Sequence, residues 1–138
     1  MIAREGKIVI VALKRKILTA ILSSLLIELI IFVLDGFEME GFLTFFYLNL
    51  MFAITYGVIT SLFSDWVSKE FFKQAYAKEI TSFILHCACG LVFTVVGLVS
   101  AIAFFIIDRL LVKVKINWLS VIIALLIVVL VYIILINI

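Results

Sequence analysis

The chain has 138 residues, of which 67% are hydrophobic and 14% charged, with a net charge of +2 and no proline. Soluble domains run nearer about 45–50% apolar and about 25% charged, so this chain has too little polar surface to cover a water-soluble globule. The net charge of +2 says little about nucleic acid, because what matters is where the charges fall along the chain.

A helix that crosses a membrane needs about 20 mostly apolar residues to span about 30 Å of hydrocarbon. Four stretches qualify: residues 17–34, 42–63, 87–107 inside the longer run Ile80–Ile107, and 118–138. The expected fold is all-α, an integral membrane bundle of four transmembrane helices in a single domain over residues 1–138. A short cytoplasmic juxtamembrane helix is expected between spans two and three, within Asp65–Glu79, with Asp65 and Lys69 paired at i,i+4 and Trp66, Phe71, Phe72 and Tyr76 available to the interface. The lipid bilayer is the first partner implied. A second copy of the chain or another membrane protein remains open, and nothing suggests nucleic acid.

The first span follows Arg4, Lys7, Lys14, Arg15 and Lys16, but its apolar run is long for a signal peptide and Asp35-Gly36-Phe37 offers no small-residue cleavage site, so it reads as a retained anchor. The first loop carries Asp35, Glu38 and Glu40 without a base, which places the N-terminus in the cytoplasm of a multi-pass cell-membrane protein. Lys69, Lys73 and Lys78 then also lie inside. Four straight spans send Arg109, Lys113 and Lys115 outside, against the positive-inside rule, and a re-entrant third segment is the way that arrangement would fail.

Within span one, Glu28 is the ionisable residue deep in the apolar run, and a carboxylate in lipid costs several kcal/mol unless neutralised or paired. It should face protein. Ser24 and Asp35 lie at helical spacing from it, and in span two Asn49, Ala53, Tyr56, Gly57, Thr60 and Ser64 share one face. Hairpin symmetry puts Glu28 and Asn49 at one depth, where a neutral carboxyl can exchange hydrogen bonds with the amide. That pair is either a structural lock or a proton- or substrate-binding site.

Span three offers His86-Cys87-Ala88-Cys89. On a helix the two thiols point about 200° apart, and one His with two Cys falls short of the three or four ligands a metal needs, so no metal site and no cofactor is expected. His86 reads as a solvated or capping side chain and the cysteines as small packing groups. Gly90, Thr94, Gly97 and Ala101 form a strip of small residues for close helix packing. Span four, a run of Leu, Ile and Val, is lipid-facing by default. No nucleophile set or phosphate loop is present, and an enzyme is not expected.

The segment Tyr56-Gly57-Val58-Ile59-Thr60-Ser61-Leu62-Phe63-Ser64-Asp65-Trp66-Val67-Ser68-Lys69 resembles a recurring stretch in an uncharacterised family of small four-span membrane proteins from Bacillus-type bacteria. That resemblance implies a bacterial cell membrane and no assigned activity. The chain is also similar to the small multidrug resistance exporters in having four expected spans and a carboxyl, Glu28, in the first. It departs from them in lacking small, Gly-containing surroundings at Glu28, in its greater length and in its charge asymmetry. Two functions follow: a non-catalytic membrane partner or assembly component, or a proton-coupled carrier of small cationic or amphipathic compounds using Glu28.

Overall fold

The computed structural model describes residues 2–34, 36 and 39–137, which are all-helical apart from short turns and contain no strand. Helix α1 (Ile2–Leu34) runs unbroken for 33 residues, with no proline to interrupt it. Helix α2 (Met39–Phe52) passes through one π turn, Ala53–Gly57, into α3 (Val58–Phe71). Helices α4 (Ala75–Leu91), α5 (Thr94–Leu111) and α6 (Trp118–Ile136) complete the chain. Three helices are long and apolar enough to cross a membrane: Ile2–Leu34, the joined Glu40–Phe71, and Thr94–Leu111. The shorter run Trp118–Ile134 is also apolar.

The structure departs from the sequence reading in the third segment. A single straight helix over residues 87–107 is replaced by two helices that meet at Val92–Phe93 and fold back on each other. The reversal uses Thr94 at φ 67°, a left-handed conformation that a β-branched residue adopts at a cost of about 1–3 kcal/mol. Close approach of the two arms offsets that cost. A Cβ built on Gly90 would sit 2.6 Å from the Ala101 Cβ and 2.7 Å from the Gly97 carbonyl oxygen, and one on Gly97 would collide with the Gly90 carbonyl. The small strip is therefore two facing surfaces of one helical hairpin, with Gly90 on α4 against Gly97 and Ala101 on α5 and Thr94 at the turn.

The expected juxtamembrane helix is likewise not a separate element. Residues Asp65–Phe71 continue α3, extended backbone at Phe72 and Gln74 breaks the chain, and α4 starts at Ala75. Trp66, Phe71 and Tyr76 are exposed.

The reversal returns the end of α5 to the start of α4. Arg109 Nε donates to Glu79 at 2.6 Å and Arg109 Nη2 to Asp65 at 2.8 Å. Arg109, Lys113 and Lys115 thus join the other eight bases, and all eleven Lys and Arg residues of the chain fall at or beyond one end of the bundle.

Packing is arranged around α1, which touches α2, α3, α5 and α6. One cluster joins Ala20, Val58 and Phe104; a second joins Ile21, Phe46 and Leu50 to Ala124, Leu125 and Val128 of α6. Val121, Ala124, Leu125 and Val128 recur at i, i+3, i+4 and i+7, so α6 presents one stripe to the bundle. Tyr47 fixes it further by donating its hydroxyl to the Val128 carbonyl at 2.8 Å. Leu126, Ile127, Val129 and Leu130 on the other side of α6 are uncovered.

Candidate functional site

Two features meet inside the bundle, and the first is a network of buried charges. Lys16 on α1 is fully buried, and its ammonium donates to Ser61 Oγ at 2.6 Å, Asp65 Oδ2 at 2.7 Å and Asp108 Oδ2 at 3.0 Å. An ammonium has three N–H donors, and here each has an acceptor. Asp108, 1% exposed, also accepts from Arg15 Nε at 2.7 Å and Arg109 Nη1 at 3.0 Å, while Asp65 accepts from Ser82 Oγ at 2.6 Å. With Glu79, the network holds three bases and three acids and carries no net charge. Such balance is what makes charge burial tolerable, because an isolated buried ion costs several kcal/mol. The expected Asp65–Lys69 pair is not formed, since Asp65 turns inward to Lys16 and Arg109.

The second feature is a cleft of about 410 Å³ between α1, the π turn and the α4–α5 hairpin. Its walls are apolar, with Phe52, Phe93 and Val96 among them. Glu28, Asn49, Tyr56, Thr60, His86 and Ser100 are its polar lining, and no Lys or Arg reaches it. Several of these groups are satisfied internally. Tyr56 donates to the Cys89 carbonyl at 3.0 Å, Thr60 to the Gly57 carbonyl at 3.1 Å, and Ser100 to Asn49 Oδ1 at 3.4 Å. Two are not: Glu28 Oε2 and His86 Nδ1 are buried without a hydrogen-bond partner, as is Ser24 Oγ beneath Glu28. Glu28 is 3% exposed and His86 2%.

The site expected from sequence is therefore partly assembled. Glu28 and Asn49 line one cleft, but no hydrogen bond joins them and Asn49 is engaged by Ser100 instead. Asp35, the outermost member of the expected polar stripe, lies outside the described residues. Gly90, Gly97 and Ala101 line the same cleft, a role beyond packing. His86 is neither solvated nor a cap. It is buried against Phe104, with ring centroids 5.2 Å apart. Cys87 and Cys89 are free thiols, and no cluster of three metal-binding side chains occurs among the described residues.

Lys16, Ser61, Ser82, Asp108 and Arg109 escaped the sequence reading as site residues. A signal was available in the length of Ile80–Ile107, which exceeds one span and places Asp108 and Arg109 where a returning chain would bring them back to Lys16. No protein-family model, characterised protein or solved structure matches this chain.

Proposed function

We propose that this is a non-catalytic cell-membrane protein that takes a small amphipathic molecule from the bilayer into its cleft and carries it in a proton-dependent way. The observation that carries this reading is Glu28: a carboxyl oxygen buried without a partner, in a cleft of ligand size whose walls are otherwise apolar. A purely structural glutamate would be expected to bond a neighbour, and Asn49, which accepts from Ser100 through Oδ1, makes no bond to Glu28.

The position of the bases supports a topology in which their end of the molecule is cytoplasmic. On that reading α1, the joined α2–α3 and α6 cross the bilayer, and α4–α5 is a re-entrant pair. Although α5 as a whole is long enough to cross, its last turn is held at the charged end by Asp108 and Arg109, and from Asp108 back to Thr94 is fourteen residues, about 21 Å of helix, short of the hydrocarbon thickness. The turn at Val92–Phe93 is compatible with membrane depth because its backbone N–H groups are paired, Val92 with the Cys89 carbonyl at 3.3 Å and Phe93 with the Gly90 carbonyl at 3.0 Å. On one side the Phe93 ring meets Tyr56 at 4.8 Å and Phe52 at 5.2 Å, while Val92 is exposed. The N-terminus is then cytoplasmic and the C-terminus external.

The test is pH-driven uptake of amphipathic compounds by proteoliposomes. Glu28→Gln should abolish uptake while leaving the protein folded; unchanged uptake would assign Glu28 to structure. A role as a partner or assembly component is the second reading, favoured by the uncovered faces of α6. Cross-linking through cysteines at Leu126 and Leu130 would capture such a partner.

A further inference from the structure

The two unpartnered groups of the cleft lie at its opposite ends. Ala20 and His86 both pack on Phe104, which sets one level of the bundle. Glu28 follows Ala20 by eight residues on the same helix, about 12 Å farther along. Asn49 precedes Gly57 by eight residues, and Gly57 also faces Phe104, with an ideal Cβ 3.6 Å from its ring. Glu28 and Asn49 thus form one polar end and His86 the other. Between those levels Phe52, Ala53, Gly90, Gly97 and Ala101 supply an apolar waist, and the Tyr56 and Thr60 hydroxyls near the His86 end are spent on backbone carbonyls.

We infer that the cleft is built for an elongated molecule with an apolar middle and a hydrogen-bonding group at each end, spaced about 12 Å apart. One end meets the Glu28 carboxyl and the Asn49 amide; the other meets His86 Nδ1. Absence of Lys and Arg from the lining removes any counter-charge for an anion, so carboxylates and phosphates are disfavoured and hydroxyl or amine ends fit. His86 is faced by Lys16 of α1, Asp65 of α3, and Asp108 and Arg109 of α5. Those four are bound to one another, which leaves the imidazole free for the guest. The inference rests on the proposal that the cleft binds small molecules, and the test separates the two.

Purified protein in nanodiscs is titrated with decanol and with the decane diol carrying a hydroxyl at each end, concentrations being expressed per lipid. The diol should bind about tenfold more tightly, the worth of one hydrogen bond to an otherwise unpartnered group. In His86→Phe the advantage of the diol over decanol should disappear. Because that variant could misfold, the wild-type protein offers a second readout: His86 is the one histidine in the chain, so a ¹⁵N-imidazole spectrum reports it alone. Its Nδ1 resonance should move with the diol and stay in place with decanol. Equal affinity for the two probes, or an Nδ1 signal indifferent to the diol, overturns the two-ended guest while the cleft reading stands. Failure of both probes to bind overturns both.

Discussion

Lys16 is fully buried with three acceptors around one ammonium, yet its removal should not be the costliest change in the network. In Lys16→Met, Asp65 keeps Arg109, and Asp108 keeps Arg15 and Arg109, so no carboxylate is stranded. Asp108→Asn leaves Arg15 without an acid and Lys16 with Asp65 alone. That variant should lose about 3–5 kcal/mol, the usual cost of leaving buried charge uncompensated, and Lys16→Met clearly less. Unfolding midpoints in mixed detergent micelles check the ranking, and the reverse order would show that Lys16 organises the network. The burial of Glu28 was readable from sequence because an acid inside an otherwise apolar run has few places to go. Lys16 was not readable: it ends the basic run Lys14-Arg15-Lys16, and such a run before a span is already explained by topology. Its pairing with Asp108, 92 residues away, is a tertiary fact that no local pattern announces.

At the level of elements, the α4–α5 hairpin is defined by two backbone demands, one at its turn and one between its arms. Thr94→Gly should stabilise the protein by about 1 kcal/mol, since relief of a left-handed β-branched residue outweighs the entropy glycine adds to the unfolded chain. A lower thermal midpoint for this variant would mean that the Thr94 side chain holds the turn. Gly97→Ala should cost about 1–3 kcal/mol, because even a methyl group meets the Gly90 carbonyl. Leu126→Ala on the uncovered side of α6 is the control and should change little; Ala124 would be a poor one, as it packs on the Ile21 cluster. Helix content was legible from the apolar runs, but the reversal was not. Leu91-Val92-Phe93-Thr94 contains neither glycine nor proline, so hydropathy runs through it unbroken. The small residues stand out in the sequence but their direction does not, since spacing along one helix cannot be told from two faces folded together. The same ambiguity hid the cleft, since Asn49 and Glu28 were matched by depth while the partner Asn49 takes, Ser100, comes from an arm of the hairpin.

For the molecule as a whole, the collection of eleven bases at one end gives a clean labelling prediction. In a background lacking Cys87 and Cys89, cysteines at Glu38 and Asn137 should react with an impermeant reagent in intact cells, and cysteines at Lys73 and Lys113 should not. Four straight spans predict the opposite at Lys113 and Asn137, so either position decides. The buried charges also have a consequence for the order of synthesis. Arg15 and Lys16 leave the ribosome before Asp65, and Asp108 and then Arg109 follow only later, 92 residues separating Asp108 from Lys16. Until then Arg15 has no acid and Lys16 has one of its two, so the nascent chain waits in the membrane with its charges unmatched. Chains stopped after Leu91 should therefore be rapidly degraded by membrane proteases, while chains stopped after Asn117, which lack α6 but carry every member of the network, should persist in a pulse-chase measurement. Equal lifetimes would show that completion of the charge set is not what releases the protein from surveillance.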